Sequence, residues 1–310
     1  MIKVQDLVKK YGATVAVDRL SFSVERGELF GLLGPNGAGK TTTISVLSTL
    51  LPATAGSASV AGFDVGNDPD QVRRRIGVVP QELAVYEDLS ATENLRFWGK
   101  LYGLDRTQLN SRVEEMLEAV DLAGHARQRV SSFSGGMKRR LNLACGLMHR
   151  PEVLFLDEPT VGIDAQARNN ILDLIRRLNE DGLTILYTTH YLEEAEQLCH
   201  RIGVIDHGEL ASLGNKEDLI RQIGDEDSVR FELSGDHFRL LEALAPGWPD
   251  VQGVTWNRGL AQIRCHDGAK VIPLLQEWLS DQDLPLEHLE VERPNLETLY
   301  LNLTGRAHRE

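Results

Sequence analysis

Residues 28–41 read E-L-F-G-L-L-G-P-N-G-A-G-K-T, and the reading of this stretch decides the fold. Its first part, E-L-F-G-L-L at 28–33, is a nearly continuous apolar run, as in a strand covered on both faces. A Gly-rich turn follows at once, and residues 40–50 then take up helix-like spacing. Glycines suit a backbone that must curl around a phosphate with its N–H groups pointing inward, because side chains would block the approach. A helix starting at Lys40 adds the positive end of its dipole. Lys40 is placed to reach β- and γ-phosphates, and the Thr41 hydroxyl to ligate Mg²⁺. A chain of this length shows the spacing by accident about once in a hundred, and strand-before, helix-after lowers that further.

Working outward, V-L-F-L-D-E-P-T at 153–160 ends a second buried strand in adjacent carboxylates. Asp157 is placed to hold Mg²⁺ through water, and Glu158 to polarise an attacking water as general base. Pro159 stops the strand, leaving both side chains at its carboxyl edge, where ligands bind in open α/β sheets. An Asp-Glu pair alone is more often a solvated turn; the phosphate loop upstream changes that balance. The run T-I-L-Y-T-T at 184–189 predicts a third buried strand, with a helix at roughly 165–180 between the two and a further strand at 202–206. Residues 2–8, 15–17 and 20–25 alternate as β-strands punctuated by Gly12 and Gly27, and residues 88–150 are mostly helical.

With 310 residues, 42% of them hydrophobic and 25% charged, the chain has room for two domains and a sizeable core. Its 33 basic and 46 acidic residues, net charge −13, argue against a nucleic-acid partner or electrostatic attachment to anionic lipid. Cys145, Cys199 and Cys265 are far apart, which fits reduced structural thiols better than disulfides or a zinc site. The N-terminus is too charged for a signal peptide, and no run approaches 18 apolar residues. The expectation is a soluble protein whose membrane work is done through a partner.

Past a charged stretch at 224–227, which reads as a linker, the pattern changes. Strand 228–234, helix 236–244, strands 251–256 and 260–265, helix 268–280 and strand 286–292 spell the βαββαβ order of ferredoxin-like domains. A last helix at about 295–303 carries Leu296, Leu299, Tyr300 and Leu303 at helical spacing. It packs on its own sheet or, more sharply, helps the domain bridge two protomers across the sheet face left bare. The domain lacks a Gly-rich loop, a carboxylate pair or a His/Cys cluster, so no chemistry is assigned to it.

S-F-S-G-G-M-K-R-R at 132–140 refines the class. A Ser-Gly-Gly turn opening a helix is a second anion site; alone, it would be read as a loop with Ser134 as N-cap. With this motif in place, residues 1–222 resemble the ATP-binding cassette family. The resemblance implies a P-loop cassette with a mixed β core, an antiparallel β subdomain and a helical subdomain at about 88–150, followed by the small α+β domain at 226–304. It assigns Tyr11 to stacking on adenine. The nucleotide would lie on Gly34, Pro35, Asn36, Gly37, Ala38, Gly39, Lys40, Thr41 and Thr42. Gln81 in V-V-P-Q would sense Mg²⁺ and couple to a membrane partner. Ser134, Gly135 and Gly136 stand in the family signature, Asp157 and Glu158 are the Mg²⁺ carboxylate and catalytic base, and Gly162-Ile163-Asp164 form the loop that crosses a dimer. His190 matches the switch histidine that contacts the γ-phosphate. The signature departs from L-S-G-G-Q at Phe133 and Met137, and the S-G-G-M-K-R-R form resembles exporters of the daunorubicin-resistance and lipid-exporter types.

The resemblance further implies ATP and Mg²⁺ as ligands, with catalysis by Lys40, Gln81, Glu158 and His190. A second copy or close relative would complete the site, and a transmembrane permease subunit would hold the chain at the cytoplasmic face of the membrane. The apolar residues of segment 82–90, Val85, Tyr86 and Leu89, are expected to line the groove for that permease. The competing readings are an importer motor, a cassette ATPase acting on ribosomes or DNA, and a catalytically dead regulatory module. Only residues 41–133 lie between phosphate loop and signature, too few for the long coiled-coil insertion of the second of these. The intact Lys40, Asp157, Glu158 and His190 oppose the third.

Overall fold

The computed structural model describes residues 1–222, 227–233, 241–242, 247–257, 260–284, 286–293 and 295–304. The chain divides into two compact units, Met1–Lys216 and Glu217–Glu310. Among the described residues no helix is long and apolar enough to cross a membrane.

The first unit opens with β1 (Ile2–Tyr11), β2 (Thr14–Val24), β3 (Leu29–Leu33) and α1 (Lys40–Leu47). There follow β4 (Ala55–Val60), β5 (Phe63–Asp64), α2 (Pro69–Arg73), β6 (Ile76–Val79), α3 (Ala91–Leu101), α4 (Arg106–Ala119) and α5 (Gly135–Leu147). It closes with β7 (Val153–Asp157), α6 (Ala165–Glu180), β8 (Thr184–Thr189), α7 (Leu192–Leu198), β9 (Arg201–Asp206) and β10 (Glu209–Gly214), and α8 (Lys216–Arg221) leads across to the second unit. Strands β2-β1-β4-β5 form an antiparallel sheet, and β10-β9-β3-β8-β7-β6 form a mixed one. In the mixed sheet the five strands from β9 to β6 run parallel. Every residue of β3, β7 and β8 is buried, which is why these strands read as unbroken apolar runs rather than alternations. One apolar core, with Leu141, Leu154, Leu156, Ile171 and Tyr187, joins the sheet to α3–α6. A second, with Leu32, Ile44, Val60 and Phe155, joins it to α1 and the antiparallel sheet, where Phe22 stacks on Phe30 at 5.2 Å. Each such side chain contributes about 1.5–3 kcal/mol on burial.

The carboxyl ends of β3, β7 and β8 deliver Gly34, Glu158 and His190 to one edge of the sheet. β3 lies between β8 and β9: the chain leaves it for β6 at the far edge, comes back through β7 and β8 on that side, and only then crosses to β9. The strand order thus reverses around β3, where open α/β sheets bind ligands.

Several expectations are corrected. The separate strands at 15–17 and 20–25 are one strand, β2. Its register against β1 shifts between Leu7 and Lys9, and Arg19 stands at φ 46, so a bulge breaks the alternation. The helix expected over 40–50 ends at Leu47, where Thr49 turns left-handed at φ 62. Val85 packs on the core and Leu89 is half-buried, leaving Tyr86 as the exposed member of that trio.

In the second unit, β11 (Asp227–Leu233), β12 (Val251–Asn257), β13 (Leu260–Cys265), α9 (Gly268–Asp281), β14 (Leu286–Glu292) and α10 (Leu296–Thr304) are described. Their antiparallel order, β12-β13-β11-β14, is that of a ferredoxin-like sheet. The helix expected over 236–244 lies almost wholly outside the described residues. Asp227, assigned to a linker, is instead a buried strand residue whose Oδ2 accepts the Gly268 N–H at 2.9 Å, fixing the start of α9. Val229, Phe231, Ala261, Ile263 and Cys265 point into the core with Val271 and Leu275 of α9. The opposite face carries Ser228, Arg230, Gln262, Arg264 and Glu290, with Arg230 ion-paired to Glu292. Among the described residues that face is mostly polar, with Leu260 an exposed apolar side chain on it, so hydrophobic burial makes little demand for a partner there. Leu296, Leu299 and Tyr300 are already buried.

Candidate active site

The phosphate loop leaves β3 at Gly34. A Cβ there would lie 2.2 Å from the Ile205 carbonyl oxygen, so glycine is obligatory. Gly39, at φ 107, is equally constrained: its Cβ would stand 2.5 Å from Ala16 O. Gly37 is different, left-handed at φ 84 with open space around it. It serves the turn, and the cleared room is what a phosphate needs. Asn36 and Gly37 are exposed, Pro35 and Thr42 half-buried, and Ala38 buried. The Gly208 N–H bonds Ala38 O at 3.0 Å, bracing the loop from the β9–β10 turn. α1 starts with Gly39 as N-cap, no capping side chain and no acidic residue in its first turn, so its end offers bare N–H groups to an anion.

Lys40 is 4% exposed, and its Nζ donates to Gly34 O at 2.7 Å and Pro35 O at 3.1 Å. It also pairs with Glu158 Oε1 at 3.0 Å. The other oxygen of Glu158 meets His190 Nδ1 at 3.1 Å, and the His190 ring packs against Tyr191. Beside this chain, Asp157 Oδ1 accepts from Thr188 Oγ1 at 2.7 Å and Thr41 Oγ1 at 3.2 Å. Lys40, Thr41, Asp157, Glu158 and His190 thus form one hydrogen-bonded cluster at the mouth of the phosphate loop.

The two carboxylates are tuned in opposite directions. Burial pushes Asp157 above the usual aspartate range, outweighing the hydroxyl bonds from Thr188 and Thr41. Burial acts upward on Glu158 too, but the hydrogen bond with His190 and the charge of Lys40 outweigh it and hold it below its ordinary value. Glu158 also sits at φ 46, a strained conformation for a residue with a Cβ. Strain of this kind costs about 1–3 kcal/mol. It is imposed by the Glu158 N–H, which Thr188 captures through O and Oγ1, both at 3.1 Å.

The remaining sequence-predicted residues stand outside this cluster. Tyr11 is 48% exposed at the end of β1, with Lys9 Nζ 5.4 Å from its ring centre, so it is not a core residue. Ser134 caps α5 by accepting the Met137 N–H at 3.3 Å. A Cβ on Gly136 would meet Ala167 Cβ at 2.7 Å, whereas one on Gly135 would make only an ordinary 3.6 Å contact with Ile163. Gly136 therefore answers to helix packing, and Gly135 and Ser134 are exposed to solvent. Met137 packs partly on the helical core, an apolar use of a position where the signature has Gln. Asp164 caps α6 through the Ala167 N–H at 2.8 Å. Gln81 is exposed, on a loop between β6 and α3.

That loop is held by side chains the sequence reading missed. Arg139 of α5 donates to the Gln81 carbonyl and, at 2.9 Å, to Val161 O. One turn on, buried Asn142 accepts the Ala84 N–H at 3.0 Å and donates to Pro80 O at 3.4 Å. Asn94 pairs with both backbone groups of Tyr86, and Trp98 Nε1 donates to Ala84 O. Asn94 and Asn142 each interrupt an apolar helix face, the signal that a backbone elsewhere needs a partner. Also missed is Glu194 in α7, 2% exposed and hydrogen-bonded to three hydroxyls.

Comparison with known proteins matches residues 17–161 to the family described as ABC transporter. The linearmycin resistance ATP-binding protein LnrL of Bacillus subtilis is 45% identical over the whole of both chains. The daunorubicin/doxorubicin resistance ATP-binding protein DrrA of Streptomyces peucetius is 40% identical, covering 98% of this chain and 92% of its own. The Nod factor export ATP-binding protein I of Ralstonia nicotianae is 39% identical over 100% and 95%. Among solved structures, the dimeric post-hydrolysis cassette MJ0796 bound to ADP and Pi superimposes with TM-score 0.63 at 26% identity, over 69% of this chain and 98% of that one.

Proposed function

The chain belongs to the ABC transporter family, and on that premise we propose that its Lys40–Glu158–His190 cluster hydrolyses ATP to drive an exporter's separate membrane subunit. The chain is an ATP-hydrolysing, nucleotide-binding subunit of the exporter type, and its relatives give no support to the importer alternative. The observation that carries the reading is the seat of Glu158, between the loop lysine and His190. From there its carboxylate accepts the proton of a water that attacks the γ-phosphorus as the bond to ADP breaks. A depressed pKa keeps it unprotonated and ready. Lys40 passes from Glu158 to the phosphate oxygens, where with the α1 N–H groups it offsets developing charge. His190 orients the carboxylate through Nδ1 and offers its other ring nitrogen to the γ-phosphate.

Mg²⁺ would be held by the hard oxygens of Thr41 and Asp157, with Gln81 as a further candidate, and when bound it neutralises phosphate charge. Tyr11 would stack on the adenine. Ser134, Gly135 and Gly136 of a second copy, or of a close relative, would close over the phosphates, with Asp164 nearby. Residues 1–222 would act as the nucleotide-binding domain and 226–304 as an accessory domain. Exposed Tyr86, which meets Phe97 edge-on at 4.8 Å, would face the permease, which holds the chain at the inner face of the membrane.

The test is phosphate release from ATP by the full chain. Glu158→Gln should lower it about 10²–10⁴-fold, and a variant that hydrolyses at the parent rate would overturn the assignment of the base.

A further inference from the structure

Glu194 buries a carboxylate that the hydrolytic step does not use. Burial of this kind is unfavourable by several kcal/mol unless hydrogen bonds and charge answer it. Here the answer is complete. Thr160 Oγ1 donates to Oε1 at 2.6 Å, and Tyr187 OH and Thr189 Oγ1 donate to Oε2, each at 2.7 Å. These are the distances of well-formed hydroxyl–carboxylate hydrogen bonds. The Arg168 Nε lies 3.7 Å from Oε1, its guanidinium stacked 4.6 Å from the Tyr191 ring.

The identity of the partners matters more than their number. Thr160 stands two residues past Glu158, and Arg168 one helical turn past Asp164, with its N–H bonded to Asp164 O. Glu194 therefore holds the start of the 161–164 loop by a hydrogen bond through Thr160 and faces Arg168, beyond its end, by charge alone across 3.7 Å. Thr189 immediately precedes His190, and its hydroxyl also accepts the Tyr191 N–H at 2.9 Å, fixing the backbone on both sides of the histidine. Burial, aided by the charge of Glu194, holds the Tyr187 phenol well above its usual pKa, so it stays a donor. Stability alone does not call for such a network, since well-packed apolar side chains usually serve as well or better.

We propose that Glu194 is a positioning residue that locks His190 and the 161–164 loop into one register, so that the state of the γ-phosphate at one site reaches the second copy of the chain. The inference rests on the dimeric ATPase reading above. The loop and the histidine then move as one body, because Thr160, which leads into the loop, bonds one oxygen of Glu194 and Thr189, which precedes the histidine, bonds the other.

The test uses the full chain in a Glu158→Gln background, where ATP-dependent dimerisation is measured by sedimentation without turnover. Adding Glu194→Gln should weaken the dimer about tenfold, within the usual range of coupling between sites. Affinity for a fluorescent ATP analogue and the melting temperature should stay near those of the parent. Thr160→Val should produce a similar loss, and the pair should be less than additive, as expected of groups sharing one bond. If Glu194→Gln fails to fold, Thr160→Val alone decides. An unchanged dimerisation constant overturns the proposal. So does a loss matched by equal losses in nucleotide affinity and melting temperature, which is the signature of a merely structural carboxylate. If Glu158→Gln itself does not dimerise on ATP, the dimeric reading fails and this inference falls with it.

Discussion

Lys40 Nζ and Glu158 Oε1 are 3.0 Å apart, so the cation meant for phosphate and the base meant for water are ion-paired with each other. Both side chains are almost fully buried, so water does little to screen the pair. Nucleotide must therefore compete with Glu158 for the lysine. Glu158→Gln keeps the shape and the hydrogen bond but removes the competing charge. ATP should bind it more tightly, on the order of tenfold or about 1.4 kcal/mol, even as turnover collapses. Calorimetry with ATP settles the matter; equal affinities would mean the pair does not oppose binding.

Gly135 and Gly136 are neighbours with opposite requirements. Gly136→Ala must push α5 from α6, since its Cβ would stand 2.7 Å from Ala167 Cβ. Overpacking of this kind costs about 1–3 kcal/mol, read as a lowered melting temperature. Gly135→Ala has room and should melt like the parent, yet lose ATP-dependent dimerisation if the turn lies against a partner's phosphates. A Gly135→Ala protein that dimerises normally on ATP would remove this turn from the proposed interface.

Tyr11→Ala should weaken ATP and ADP alike, by about 1–3 kcal/mol if the ring stacks on the base. Because Tyr11 is half-exposed, the fold should not notice its loss. Unchanged nucleotide affinity in calorimetry would assign the ring to the surface alone.

Tyr86→Glu places a charge on the exposed aromatic edge that Tyr86 shares with Phe97. The backbone of residue 86 is held by Asn94 whatever its side chain, so the loop should keep its path. Transport in cells should fall while ATP hydrolysis by the purified chain stays within about twofold. A parallel fall in both would place Tyr86 in the ATPase machinery instead.

How much of this was legible in the sequence depended on whether a residue's role is local. The phosphate loop and the Asp157–Glu158 strand end were, because each is announced by its own flanking strand, whereas His190 was named only through the family resemblance; the helix at 165–180 and strand at 184–189 match α6 and β8. β2 was split because one bulge reverses its alternation. Asp227 passed for a linker residue because its partner, the Gly268 N–H, lies 41 positions away. Arg139 sits in a run of basic residues that reads as a solvated helix face, and Glu194 in L-E-E-A-E-Q-L does the same. Only the fold reveals that each turns inward to backbone or hydroxyls contributed by other elements.

The brace between Gly208 and Ala38 has a consequence for biosynthesis. Gly34 packs against Ile205, Gly39 against Ala16, and Gly208 bonds both the loop at Ala38 and β2 at Asp18. The segment that gives this protein its chemistry is translated early, but its outer wall is translated some 170 residues later. Contacts so distant in sequence form late, after loop-closure entropy has been met. A nascent chain arrested before residue 208 should carry the whole phosphate-loop sequence and still fail to hold nucleotide. During synthesis, then, the ATP site should be among the last parts of the first unit to mature, and no ATP should turn over before the β9–β10 turn has left the ribosome.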